Sequence, residues 1–387
     1  MANILSSLVI LGFSIWAIFS IHIFAANNGT LSLFGSIVDS GIFPDGTPLT
    51  PITTNGRYPK LDWQIKAPAA FLWHFGDGLH PDNSLAGLLF AGAWSASWIL
   101  IVLEGFRKCN RRRIISYISI WGVFQFNHSN ALITPIWLAL HLLTSPSAVR
   151  PSPDDVSIDS IDLLVLPASF VIGFVVPLAP VMLPFSVISV RMKQTAMGWY
   201  QQWPLWISIP HYILAAALRS TSVPSKVAGE KIQLILYRSV YIFAFAFAVL
   251  THLPVMVLSF TAALWPALFS HEFVHLLQPK HLLVPANPFS GVKAENLAQG
   301  MFWLIQWDYF SGYLAPAVWG LILYRRVGLE QGKKSSWESC LKRAAIYALL
   351  AGPIGVAVGM IWERDEILFG QSQEIKSEEP KLAGDNK

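Results

Sequence analysis

The stretch Gln299-Gly-Met-Phe-Trp-Leu-Ile-Gln-Trp-Asp308-Tyr-Phe-Ser-Gly-Tyr-Leu-Ala-Pro316 carries a single charged side chain, Asp308, in a run that is otherwise apolar and aromatic. With its continuation to Tyr324 it reads as long and apolar enough to cross a bilayer, and Arg325 and Arg326 close it. A carboxyl at the centre of such a span costs about 2.5–3.5 kcal/mol on insertion scales. Residues of this kind face the protein interior and mark chemistry or a proton path there. No Lys or Arg lies nearby in the sequence, so the structural alternative is a pairing with Arg238 or with a histidine of another helix. Burial disfavours the ionised form of a carboxyl, and the neutral form is what a general acid requires.

The whole chain agrees with a membrane reading. Of 387 residues, 53% are hydrophobic and 13% charged, and the mean hydropathy is +0.48; a soluble domain carries about 25% charged residues. The expected fold is all-α, a polytopic transmembrane helix bundle of seven to nine spans. It forms one domain over residues 1–362, followed by a charged, disordered tail from Glu363. The net charge of +4 is no nucleic-acid signature, because the basic residues cluster in short loops between apolar segments, as membrane orientation requires. The expected surroundings are the lipid bilayer, at the endoplasmic reticulum, with no nucleic-acid partner. Cys109 and Cys340 lie beside basic clusters on the expected cytosolic face and read as structural thiols.

Spans are expected at Ile4–Phe24, Ser84–Leu103, Ile114–Leu143, Ile161–Pro184, Leu234–Leu253, Gly300–Tyr324 and Cys340–Trp362. The first lacks the basic n-region of a cleaved signal and reads as a retained anchor. The third is unusually long and should kink at Pro135. Tyr200–Leu218, broken by Pro204 and Pro210, and Ser259–Leu277, broken by Pro266, are ambiguous. The basic cluster ending at Arg113 and the pair Arg325 and Arg326 belong on one side. The two ambiguous segments therefore both cross or both do not, giving nine spans or seven. Asn28-Gly-Thr30 matches a glycosylation acceptor at the opposite membrane surface.

Several groups of residues bear on chemistry. In Gln125-Phe-Asn-His128-Ser-Asn130, Gln125 and His128 share a helical face with Trp121, and Asn127, Asn130 and Thr134 share another. Amides and imidazoles in lipid need partners. They form either interhelical hydrogen bonds, worth about 0.6 kcal/mol each, or the polar wall of a substrate cavity. Glu104, with Arg107 and Lys108 three and four residues on, reads as an interfacial ion pair. His271-Glu272-Phe-Val-His275 is a formal H-E-x-x-H, which on a helix places two imidazoles on one face beside a carboxylate. His252, His281, Glu295 or Asp308 would supply its third zinc ligand; otherwise these are interfacial histidines. The chain has 16 Trp, 24 Phe and 10 Tyr, many of them explained by interfacial belts. Trp94, Trp98, Trp121, Trp303 and Trp307 lie deeper, and Tyr309 adjoins Asp308. An aromatic-lined cavity stabilises a cation that has no hydrogen-bonding handle, and the carbocations of terpene cyclisation fit that description.

No Asp-Asp-x-x-Asp cluster lies in an apolar helix, and Asp154-Asp155 stands in a Pro/Ser loop without the third Asp. Magnesium-driven ionisation of a prenyl diphosphate therefore finds no support. Di-iron His boxes, a Gly-rich nucleotide loop and a haem thiolate signature are also missing, so no cofactor and no metal are expected. The runs Glu104-Gly-Phe-Arg-Lys-Cys-Asn-Arg, Trp121-Gly-Val-Phe-Gln125 and Ala131-Leu-Ile-Thr-Pro-Ile-Trp-Leu-Ala-Leu-His141-Leu-Leu-Thr-Ser-Pro146 resemble fungal integral-membrane terpene cyclases. These act late in ascofuranone, ascochlorin and macrophorin biosynthesis. The resemblance extends over most of the chain, including Gln306-Trp-Asp308. It implies a metal-independent cyclase that protonates a terminal epoxide or alkene on a farnesyl chain attached to an aromatic or cyclohexenone head. The cation then closes rings and is quenched by proton loss. The implied substrate is a lipophilic prenylated small molecule, delivered by an upstream epoxidase or prenyltransferase.

From the residues themselves, Asp308 is the expected proton donor. His128 and Gln125 would orient the substrate oxygen or tune that acid, and Trp121, Trp303, Trp307 and Tyr309 would line the cation path. The rival readings are an intramembrane zinc hydrolase built on His271, Glu272 and His275, and a transporter of lipophilic metabolites. The lack of an inverted repeat weighs against the transporter.

Overall fold

The structure, a computed structural model, describes residues 2–227, 229–330 and 336–384. Among these residues it is helical, with an isolated bridge between Ile42 and Pro48 and no longer strand. We number the helices of eight residues or more. They are α1 (Asn3–Asn27), α2 (Thr30–Ser40), α3 (Pro59–Leu72), α4 (Pro81–Phe106), α5 (Ile118–His128), α6 (Asn130–Thr144), α7 (Ser160–Met182), α8 (Val190–Tyr200), α9 (Trp203–Arg219), α10 (Glu230–Leu264), α11 (Leu297–Glu330) and α12 (Trp337–Gly384).

Among the described residues five helices have the length and apolarity to cross a membrane, measured end to end: Asn3–Asn27, Pro81–Phe106, Ser160–Met182, Lys231–Leu264 and Trp337–Gly370, the last of which turns back at Ala351 and Gly352. The sequence led to an expectation of seven to nine crossings. Part of the difference is α11, which has the length but, with Gln299, Gln306, Asp308 and its tyrosines, not the hydropathy of the five. The rest is the expected third span, Ile114–Leu143, which folds back on itself. The ambiguous Tyr200–Leu218 is α9, whereas Ser259–Leu277 is the end of α10 followed by short turns.

The expected third span is two antiparallel arms rather than one kinked helix. The break falls at Ser129 (φ 79°, ψ 148°), while Pro135 lies inside α6. The Ser129 hydroxyl accepts the Leu132 N–H (3.2 Å) and so starts α6. Across the turn Gln125 Nε2 donates to Thr134 Oγ1 (2.8 Å), and nearer the open end Trp137 Nε1 donates to the Ile115 carbonyl (3.1 Å). An arm the length of α6 rises about 22 Å, short of a hydrocarbon core about 30 Å thick.

α12 folds back in the same way. Ala351 (φ −140°, ψ 16°) and Gly352 (φ 66°, ψ −168°) leave the helical region. Arg343 pairs with Glu363 at 2.7 Å, and Tyr347 Oη donates to Glu363 at 2.6 Å. In a continuous helix residues 343 and 363 would stand about 30 Å apart. The expected final span, Cys340–Trp362, is therefore a helical hairpin. The tail expected from Glu363 is also corrected: the backbone stays helical to Gly384, and Arg364 and Asp365 are buried. Residues 385–387 lie outside the described residues.

The open ends of both hairpins are tied together at the C-terminal end of α4. Glu104 accepts Arg107 (2.7 and 2.9 Å) and Arg364 (2.7 Å); Asp365 accepts Arg107 (2.8 Å), Arg364 (2.9 Å) and Tyr241 Oη (2.6 Å). His141 Nδ1 takes the Trp319 N–H (3.1 Å), so its Nε2 carries the proton and donates to Glu104 (3.0 Å). Two carboxylates and two guanidiniums thus sum to zero charge, with every member fully buried. The sequence reading of Glu104 and Arg107 as an interfacial pair is corrected accordingly. α11 runs through the centre of the bundle, packed on α12, α6, α4 and α1.

Candidate active site

Asp308 sits about a third of the way along α11, 5% exposed. Its Oδ1 accepts the Ala131 N–H at 2.6 Å. The carboxyl therefore stands at the amino end of α6, where free amides and the helix dipole attract an acceptor. No ion pair reaches it among the described residues. Arg238, the partner considered from sequence, pairs instead with Glu366 (2.6 Å).

Around this contact lies a chain of polar groups. Gln125 Nε2 donates to Thr134 Oγ1 (2.8 Å), whose hydroxyl donates to Asn130 Oδ1 (2.6 Å). Asn130 is the residue before Ala131, and its amide packs against Gly312, where a Cβ would stand 2.3 Å from Nδ2. Gln125 Oε1 and Asn130 Nδ2 are both buried without a hydrogen-bond partner. Each orphan of this kind costs about 1–3 kcal/mol, and such groups in a folded interior call for an explanation. Ser129, next in the chain, holds a φ/ψ combination that a non-glycine residue adopts at a cost of about 1–3 kcal/mol. Strain and unpaired polar groups thus collect at the hairpin tip beside Asp308.

Tyr309, one residue on, is also buried and meets the tip of the other hairpin. A Cβ on Gly352 would lie 2.7 Å from Tyr309 Oη and 3.0 Å from His252 Nδ1. The hairpin tips therefore dock on adjacent residues of α11.

The other expected site residues divide. Trp307 donates Nε1 to the Ala286 carbonyl (2.9 Å) and meets Trp16 edge to face (5.5 Å). Trp303 lies against Phe24 (5.8 Å). Phe24, which Trp303 packs against, lines a cleft of about 270 Å³ with Asn27, Asn28, Pro288, Phe289, Gly291 and Val292. His128 is exposed at the end of α5, with its ring against Phe124, and only its carbonyl is engaged, by His22 (3.1 Å). Trp121 donates to the Ile114 carbonyl (3.0 Å) at the far end of α5. Neither His128 nor Trp121 joins Asp308: both share α5 with Gln125, but Gln125 is buried against Thr134, whereas His128 is exposed at the end of the helix and Trp121 bonds back to Ile114.

His271 and Glu272 lie in a turn before the one-turn helix Val274–Leu277, and both they and His275 are exposed. The H-E-x-x-H pattern is not on one helix, which removes the geometry that zinc needs. Its proposed third ligands are elsewhere engaged or exposed: His281 bonds Asp82 (2.8 Å) and Glu295 is exposed. A group that sequence reasoning missed is His74, Asp77 and His80, whose donor atoms lie within 4.8 Å of one another. Both imidazoles bond Asp77 Oδ2 (2.9 and 2.7 Å), and Oδ1 caps the turn through Leu79 N–H (2.8 Å). Its signal was the spacing His-x-x-Asp-x-x-His. The Asn28 amide is buried and bonded to Thr30 (2.6 Å), which withdraws that glycosylation acceptor.

A family model described as the CtvD domain matches residues 6–369. The chain is 28% identical over 384 residues to the terpene cyclase ascI of Acremonium egyptiacum, covering 95% of this chain and 94% of that one. It is 28% identical over 371 residues to the terpene cyclase ctvD of Aspergillus terreus, covering 94% and 99%. It is 26% identical over 313 residues to the terpene cyclase sdgD of Emericella nidulans, covering 80% and 79%. No solved structure matches.

Proposed function

The chain belongs to the CtvD-domain family, and from that premise we propose that it is a membrane-embedded terpene cyclase of the isomerase type. Its substrate is a prenylated meroterpenoid precursor. Asp308 protonates an epoxide or alkene on the farnesyl chain, and the cation closes rings without a metal or cofactor. The observation that carries this reading is a buried carboxyl with no cationic partner, set among unpaired polar groups at a strained turn. A general acid so placed contributes about 10²–10⁴-fold to rate. Gln125, through Thr134 and Asn130, holds the hairpin tip against Asp308.

Trp303, Trp307 and Tyr309 supply the aromatic faces along which cationic charge is stabilised. The cleft at Phe24 and Phe289 is where the apolar chain enters from the bilayer. The reaction belongs at the endoplasmic reticulum membrane, downstream of an epoxidase or prenyltransferase.

The test is purified protein in detergent, with a chelator present, given a farnesylated epoxide or its alkene precursor. The expected result is a cyclic product of unchanged mass. A strict requirement for added metal, or turnover only of a precursor that carries a diphosphate leaving group, overturns the proposal. Product formation without a sealed membrane also removes transport as the sole activity.

A further inference from the structure

We propose that His252 is the base that ends cyclisation, set for that task beside Tyr309 and the tip of the α12 hairpin. The inference rests on the cyclase reading and deepens it by naming the second proton-transfer group.

Three observations converge. His252 is half-buried on α10, and its Nδ1 is buried without a hydrogen-bond partner among the described residues. An imidazole nitrogen left so in an apolar interior keeps a free lone pair or a free N–H, and such groups demand a reason. Next, the neighbouring polar atom is Tyr309 Oη, on the residue directly after the proposed acid. It too makes no hydrogen bond among the described residues. Lastly, the backbone that brings the two together is built for close approach. Gly352 has φ +66°, and any Cβ there would stand 2.7 Å from Tyr309 Oη and 3.0 Å from His252 Nδ1. Glycine is required at this position by conformation, and a Cβ there would also press on the Tyr309 hydroxyl and the His252 ring. A turn that needed only to reverse the chain would not need a bare backbone against an unpaired imidazole and a phenol.

The step balances. Asp308 gives a proton to the substrate and generates a carbocation. After ring closure a C–H bond next to the cationic carbon breaks, its electron pair becomes the new C=C bond, and the proton passes to the lone pair of a neutral His252 ring nitrogen. One proton enters and one leaves, so the product keeps the atoms of the substrate. Imidazolium and carboxylate then return to their starting states by exchange with water. Tyr309, its ring packed against Tyr313 at 5.3 Å, keeps its place on the cation path beside this base.

The experiment compares wild type, His252→Phe and His252→Gln in microsomes, scored by total substrate consumed and by the distribution of products. Both variants should still consume substrate. The wild-type product should fall at least tenfold as a share of cyclised material, replaced by alkene isomers or by alcohols one water heavier. Gln keeps polarity and volume close to those of His, so it stands in if the Phe variant fails to accumulate. An unchanged product at an unchanged rate in a folded variant overturns the assignment. So does complete loss of substrate consumption in both folded variants, because the base acts only after ring closure. Failure of wild type to form any cyclic product sinks the cyclase reading itself and is read from a separate arm.

Discussion

Asp308 was legible at the level of single residues because one carboxyl in an aromatic, uncharged stretch has few structural explanations. Gln125 was legible for the same reason, and the structure joins it to Asp308 through Thr134 and Asn130. His128 and Trp121 were assigned with Gln125 by helical periodicity, and all three do lie on α5, but periodicity does not say that His128 stands exposed at the helix end and that Trp121 bonds back to Ile114. The Glu104 cluster was hidden because its members are separated by as many as 260 positions, and because Arg364 and Asp365 stand in a stretch whose composition reads as solvated tail. Removing one charge from that cluster tests its role. Glu104→Gln leaves two buried guanidiniums opposite one carboxylate, and breaking a buried pair in this way costs about 3–5 kcal/mol. Thermal unfolding in detergent should show a large drop in midpoint for Glu104→Gln, and a far smaller one for the exposed pair variant Glu338→Gln, which faces Lys342 in solvent.

At the level of elements, hydropathy reports how long an apolar segment is and says nothing of the direction in which it runs. Ile114–Leu143 and Cys340–Trp362 have the length of spans, yet each folds back at a polar or glycine turn. Gly352-Pro353 was a readable turn signal, and Asn127-His-Ser-Asn130 was a readable helix-start signal set inside an apolar run long enough to pass for one span. The hairpins predict that cysteines placed at Arg111 and Arg150, which flank α5 and α6, label from one side of a sealed vesicle. Cysteines at Trp337 and Gly370, which flank the α12 hairpin, should label from that same side, with Val292→Cys labelling from the other. Labelling of either flanking pair from opposite sides would contradict the fold-back.

The His74–Asp77–His80 corner makes a pH prediction of its own. Hydrogen bonding to Asp77 raises His80 above its ordinary 6.5. Burial opposes ionisation of Asp77, but the bonds from His74 and His80 outweigh it and hold the carboxyl below its ordinary 3.8. The His80 contribution is present below 6.5 and fades as pH rises through its raised value. The Asp77 contribution is present above 3.8 and fades as pH falls through its lowered value. Hydrogen exchange of residues 74–80 should therefore be slowest, after correction for intrinsic rates, between about pH 4 and 6.5 and quicken on either side. A flat profile would contradict the pairing.

For the molecule as a whole, the all-helical bundle and its basic loops followed from composition and from the placement of Arg and Lys, whereas the internal architecture did not. Two hairpins share an anchor at the Glu104 cluster and present their tips to consecutive residues of α11, a relation between segments far apart in sequence. That arrangement sets a buried, capped carboxyl and a half-buried imidazole with one unpaired nitrogen at consecutive residues of α11, in a fold whose family relatives are named as terpene cyclases. The central claim is that Asp308 supplies the initiating proton rather than merely capping α6. Asp308→Asn separates the two roles, because the amide oxygen can still accept the Ala131 N–H while the acidic proton is gone. The measurement is the cyclisation rate of that variant, purified in folded form and given the prenylated substrate. The account predicts a loss of about 10²-fold or more with the unfolding midpoint little changed, and cyclisation at the wild-type rate would contradict it.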